Sequence, residues 1–281
     1  MHQYNLLTDE ELEVSQTPVF PFYSKINLDF QVGRFTIKTV SQSAELSEVL
    51  RLRYQVFQVE TVGTGRGVGL DYDQFDVAAD HILIRDTRSQ EVVATCRLNC
   101  SAFTNKFYSE QEFACGVLLG KPGVKLEVGR VCVHKKYRNG ATLFMLWKAI
   151  AEYMKRTQAE TLFGCGSIMT QSPEETLAVY RYLHAEGKIR YDFPIYPTHK
   201  YRFLDFEELL LGSDIDAQPI TERESVARLI PPLCNLYFDI GCYVPGPPAI
   251  DRDFKCIDFL TVLELNELDS RIKKRIFGDK P

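Results

Sequence analysis

The sequence predicts a mixed α/β domain, of the α+β kind, with helices around a mixed sheet. Strand and helix patterns follow one another without a regular βαβ repeat, a strand, a basic loop and an amphipathic helix occupy the middle of the chain, and 45% of the 281 residues are apolar. A chain of that length can bury a substantial core. Charged residues make up 25%, the proportion of an ordinary globular protein. With 33 Lys+Arg against 38 Asp+Glu the net charge is -5, which argues against a nucleic-acid partner. No run approaches eighteen apolar residues and the first thirteen residues are acidic and polar, so neither a membrane span nor a secretory leader is expected. Eight cysteines without a C-x-x-C pair fit reduced thiols in a cytoplasm.

Residues 1–34 mix Pro18 and Pro21 with aromatic and polar residues without a period, and read as an N-terminal arm. The core domain is expected over 35–213 and a helix–strand extension packed on it over 214–281. Residues 35–40 alternate at period two and predict a strand, while Leu46, Val49, Leu50, Arg53 and Phe57 recur at helical spacing. Gly63, Gly65, Gly67 and Gly69 make the next segment a loop. Residues 81–84 and 92–98 predict two antiparallel strands joined by a hairpin, and 124–133 a third strand. Leu143, Leu146, Trp147, Ile150 and Met154 form one apolar stripe, predicting a helix over 139–156. A strand over 161–165 follows. Ser172, Pro173 and Glu175 supply an N-cap, a first-turn proline and a capping-box carboxylate for the next helix. Thr221 and Glu224 open a helix reaching toward Ile240, and a last strand covers 257–263.

Several familiar motifs fail. The glycine run lacks G-x-G-x-x-G spacing and follows a helix, which excludes a dinucleotide site. Asp71, Asp73 and Asp76 resemble the start of a calcium loop, but position six is Asp76 rather than glycine and position twelve carries no carboxylate, so no metal is expected. His81 and Asp86 match H-x-x-x-x-D, yet five residues apart on a strand their side chains leave on opposite faces.

What remains is an ordered set: Arg53 and Phe57, then Asp73, Phe75 and Asp76, His81, Arg97 and Leu98, Glu127 and Arg130, and finally Lys135, Lys136, Tyr137, Arg138, Asn139 and Gly140. Together with residues 52–57, 107–113, 126–133, 137–138, 162–165, 246–251 and 254–260, this set resembles the acyltransferase branch of the GNAT fold. That branch contains the acyl-homoserine-lactone synthases and, more closely similar, the "hemolysin-like" ornithine N-acyltransferases of lyso-ornithine lipid synthesis.

The resemblance implies a splayed central sheet and transfer of a 3-hydroxyacyl chain from acyl carrier protein to the α-amine of ornithine, with no cofactor beyond the phosphopantetheine arm of the donor. It implies Glu127, with Arg130, as the catalytic pair, Glu127 deprotonating the ammonium. Arg53 and Arg97 would fork the acceptor carboxylate, Asp73 or Asp76 would take a second amine or instead pin the loop that closes over the site, and Phe57 would line the substrate site. Lys135, Lys136, Arg138, Asn139 and Gly140, at a helix N-terminus, would take the carrier's phosphate, and residues 135–138 are expected to border one crevice with Glu127. Gly140-Ala141 follows Arg138 too closely for the usual acetyl-CoA loop, which favours carrier protein over CoA. Along a strand Glu127 and Arg130 face opposite ways unless a bulge intervenes, which makes Arg97 on the neighbouring strand the more natural partner of Glu127. Arg271, Lys273, Lys274 and Arg275 interleave with Ile272, Ile276 and Phe277, which suits a solvated helix end or contact with an anionic bilayer. The rival functions are a signal-molecule or N-acyl amino acid synthase and a non-catalytic carrier-protein binding module.

Overall fold

The computed structural model describes residues 22–64, 69–215 and 223–277. Residues 1–21, part of the glycine run and Thr221 lie outside them. One eight-stranded sheet organises the chain. It contains β1 (Asp29–Val32), β2 (Phe35–Thr39), β3 (Asp80–Asp86), β4 (Val92–Cys100), β5 (Val124–Val133), β6 (Ala159–Ile168), β7 (Ala249–Asp251) and β8 (Cys256–Glu264). Their order is β1-β2-β3-β4-β5-β6-β8-β7. Neighbours are antiparallel except β5 and β6, which run parallel. Phe35, the expected start of the core, sits inside a hairpin: Asp29–Val32 pairs with 35–38, so the tail of the expected arm is the sheet's first strand. Its short alternation gave no period long enough to read.

The helices follow their patterns. In α1 (Ser43–Tyr54), Leu46, Val49 and Leu50 are buried against Leu83 on one face of the sheet. A π-helical turn, Gln55–Val62, continues it and ends at Gly63, whose φ of 74° needs no Cβ to clash. The short helices α2 (Ser109–Glu112) and α3 (Gly116–Leu119) cross between β4 and β5. In α4 (Gly140–Thr157) the apolar stripe of Leu146, Trp147, Ile150 and Met154 packs with Ile82, Ile84, Leu98 and Leu126 on the other face, forming the main core. Alternation of Ile82, Leu83 and Ile84 between the two faces is what a period of two dictates.

Ser172 caps α5 (Pro173–Ala185) by accepting the amide of Glu175. After α6 (Leu204–Leu211), the single helix expected up to Ile240 is two, α7 (Arg223–Leu229) and α8 (Pro232–Asp239). Pro231 and Pro232 explain the break, since neither can donate into a continuing helix. In α9 (Ser270–Phe277), Phe277 is buried and Ile276 packs against the main core, so these two apolar residues face inward rather than toward a bilayer. Among the described residues no helix is long and apolar enough to cross a membrane.

Candidate active site

The strands β5 and β6 pair only from Val124 to Glu127 and from Ala159 to Phe163. Beyond that point β5 stays on β4 while β6 follows β8, and the sheet opens into a wedge. Gly164 marks its apex, because a Cβ there would stand 2.2 Å from the carbonyl oxygen of Val128. A cavity of about 220 Å³ fills the opening. One lip carries Glu127, Val128, Gly129, Arg130 and Val131, and the other Cys165, Gly166 and Ser167. The helix α8 covers it with Leu233, Cys234 and Tyr237, while Phe57 and Thr61 enter from the π-helical turn. Val128, Gly129 and Val131 thus present an edge of β5 that no longer pairs with β6, suited to stabilising a developing oxyanion through backbone N–H groups.

A bulge interrupts β5. Arg130 has a φ of 50°, and the β4–β5 register shifts between Thr95/Cys132 and Arg97/Gly129. Its left-handed turn brings the Arg130 side chain to the cavity, over the rings of Tyr108 at 5.0 Å, Phe254 at 5.1 Å and Phe57 at 5.9 Å.

Beside the cavity lies a balanced cluster of three arginines and three aspartates. Arg53 donates from Nε to Asp71 at 2.8 Å and from both terminal nitrogens to Asp76 at 2.6 and 3.2 Å. Arg97 meets Asp73 at 2.6 Å and Asp76 at 3.2 Å, and Arg130 meets Asp71 at 3.3 Å and Asp73 at 3.1 Å. Burial alone would raise the Asp76 carboxyl, but the guanidinium groups of Arg53 and Arg97 outweigh it and hold it well below the carboxylate range. Burial pushes His81 down to about 3, against the attraction of Asp76 and helped by Arg53 and Arg97, so this histidine is neutral.

Two expectations bear on this cluster. Arg53 is fully buried with its donors engaged by aspartates, while Arg97, 1% exposed and paired with Asp73 and Asp76, lines the cavity with its Nε unpartnered. Asp76 is likewise consumed, and Asp73 is held by Arg97 and Arg130; they anchor the loop rather than await an amine.

Glu127 lines the cavity but is 2% exposed, and it pairs with neither Arg97 nor Arg130. Its oxygens accept the backbone amides of Ser109 at 2.7 Å and Tyr108 at 3.0 Å, and Asn99 Nδ2 at 3.3 Å. A carboxylate engaged in this way fixes the turn entering α2. The geometry gives it a positioning role on the cavity wall.

The basic turn lies elsewhere. Lys136 and Asn139 line a separate surface groove with Arg34, Phe35 and Tyr137, so the single crevice expected to join Glu127 to residues 135–138 is two hollows. Arg138 pairs with Glu60 and donates to the Val133 carbonyl, and Asn139 caps α4 by accepting the amide of Thr142 at 3.1 Å. Lys135, Lys136 and Gly140 are exposed there.

Sequence reasoning missed the far wall. Cys165, Ser167, Cys256, Asp258 and Asp251 share one face, as the pairs Ser167–Asp258 and Asp251–Cys256 require. Glu112, wholly buried on α2, adjoins them. Burial first, then Asp258 and Asp251, pushes the Glu112 carboxyl far above its usual range, and burial raises Asp258 as well. Burial and the same two carboxylates, Glu112 and Asp258, push the Cys165 thiol well up, which makes it a poor nucleophile. The signal was present in the sequence as acids inside an apolar strand, Asp251 after Ala249 and Ile250 and Asp258 between Ile257 and Phe259, positions at which an unpaired charge is rarely tolerated.

Residues 52–148 match the model of the acetyltransferase (GNAT) domain. The chain is 29% identical over 257 residues to an L-ornithine N(alpha)-acyltransferase of Rhizobium meliloti (strain 1021), covering 86% of this chain and 83% of that one. It is 28% identical to a protein of the same name from Rhodobacter capsulatus, over 84% of this chain and 92% of the other. Among solved structures it is similar to the AHL synthase LasI, with 12% identity, a TM-score of 0.47, and coverage of 88% of this chain and 96% of that one. Family match, curated relatives and the parted parallel strands agree: the chain is an acyltransferase of the GNAT fold.

Proposed function

We propose that the protein moves a 3-hydroxyacyl chain from the phosphopantetheine arm of acyl carrier protein to the α-amine of ornithine, making a lyso-ornithine lipid. The observation that carries this reading is the cavity between β5 and β6, which offers the unpaired edge of β5 on one lip and buried carboxylates on the other. The names of the curated relatives support ornithine as acceptor. In the reaction a neutral amine attacks the thioester carbonyl, the oxyanion is met by N–H groups of the β5 edge, and the thiol leaves as the amide forms. The apolar cover from Leu233 and Tyr237 suits an acyl chain. Exposed Lys135 and Lys136, with Gly140 at the start of α4, supply positive charge for a phosphate and for an acidic carrier surface.

The test is mass spectrometry of products from purified protein, a panel of amino acids, and matched 3-hydroxyacyl chains on carrier protein or CoA. N-acylornithine formed from the carrier-bound donor is the expected product. Preference for another amine would point to a signal or N-acyl amino acid synthase, transfer from CoA alone would remove the carrier protein, and carrier binding without transfer would leave only a binding module.

A further inference from the structure

Two sets of acidic side chains flank the active-site cavity, and they differ in one respect. Asp71, Asp73 and Asp76 are neutralised by Arg53, Arg97 and Arg130. Glu112, Asp251 and Asp258, at 0%, 3% and 3% exposure, have no Lys, Arg or His ion-pair partner among the described residues. Asp258 takes a hydrogen bond from Ser167 at 2.5 Å and a weak one from the Cys256 thiol at 3.6 Å, and Asp251 accepts the amides of Asp253 and Phe254. Neither oxygen of Glu112 meets a donor in hydrogen-bonding geometry, although Tyr108, Cys165 and Asp258 surround it. An unpartnered buried carboxyl beside a second one is costly when ionised, and either a retained proton or a cation joining the pair relieves that cost.

We propose that Glu112, Asp251 and Asp258 form the subsite for the side-chain ammonium of a diamino-acid acceptor. This deepens the reading given above and rests on it for the identity of the acceptor. Ligand atoms of Asp251, Cys256 and Asp258 lie within 4.8 Å of one another, close enough for one primary ammonium to bridge them. Asp251 and Asp258 border the cavity itself, so the site is reached from the space where the acceptor must sit. The reacting α-amine has to shed its proton and reach the β5 edge, on the other lip of the wedge. The group left for the acidic wall is the one that stays charged throughout. Three donors on an ammonium match a concave set of carboxylate oxygens, and charge-assisted bonds in a dry site discriminate strongly against an acceptor that lacks the group.

Calorimetric titration reads the subsite without turnover. Wild-type protein, Asp258→Asn and Glu112→Gln are titrated with ornithine and with norvaline, which keeps the carbon chain and loses the side-chain amine, in the presence of a chelator. The wild type is expected to prefer ornithine by about tenfold or more, and each variant to lose that preference while binding norvaline as before, which also shows that the variant is folded. Equal binding of the two ligands by the wild type, an unchanged preference in both variants, or ornithine binding that disappears with the chelator and returns with zinc, would overturn the proposal. A wild type that prefers ornithine yet yields no acylated product keeps the subsite and defeats the acyl-acceptor reading instead.

Discussion

Arg53 shows how a single side chain can be misjudged from its type. It falls on the same stripe of α1 as Leu46, Val49 and Leu50, and that stripe is buried, so Arg53 is carried inward where Asp71 and Asp76 receive it. Replacing it by methionine leaves Asp71 and Asp76 short of a counter-charge, and chemical denaturation is expected to show a loss of about 3–5 kcal/mol. Glu127→Gln tests the positioning role in the same spirit. Removing the charged acceptor from the amides of Tyr108 and Ser109 is expected to lower the unfolding midpoint together with activity, whereas a base held apart from the fold would cost activity alone. Glu112 carries a pH signature. Its folded-state pKa is raised above the unfolded value, so the fold takes up a proton and loses stability as pH climbs through and beyond neutrality. Glu112→Gln should remove that slope, its thermal midpoint gaining on the wild type between about pH 5 and about pH 8; parallel curves would show that the carboxyl ionises as freely folded as unfolded.

At the scale of elements, the strands and α4 were legible because their patterns are long: β5 and its following helix occupy the spans that alternation and the stripe from Leu143 to Met154 predict. Shorter signals were lost. Four residues of β1 do not establish a period, and the break before Pro232 is a local veto on a helix that the capping box alone would prolong. The bulge at Arg130 was inferable as a condition, since two residues three apart on a strand reach one cavity only if the register slips. The wedge was not visible in any one strand, because it depends on where β6 abandons β5 for β8. Gly164 is the sequence trace of that departure. Gly164→Ala should force the Val128 carbonyl away and deform the lips of the cavity, lowering turnover at least tenfold while far-ultraviolet dichroism stays that of the native sheet. Unchanged kinetics would mean that the apex does not set the cavity's shape.

For the whole molecule, the sheet gathers residues far apart in the chain around one space: Phe57 from the π-helical turn, Arg130 from the bulge, Tyr237 from α8 and Asp258 from β8. The candidate site was half readable for this reason. Residues from α1 through β5 form a recognisable run, but Glu112, Asp251 and Asp258 acquire meaning only when β8 is laid beside β6. The separation of the basic turn from the cavity was hidden in the same way, since proximity along the chain says nothing about which hollow a loop borders. The central claim is that the opening between β5 and β6 seats the reacting thioester. A crystal structure with a non-hydrolysable acyl-pantetheine tests it most directly. The arm is expected to thread between Val128–Val131 and Cys165–Ser167, its carbonyl oxygen about 3 Å from a backbone N–H of β5; an arm bound outside the wedge would rule this seat out.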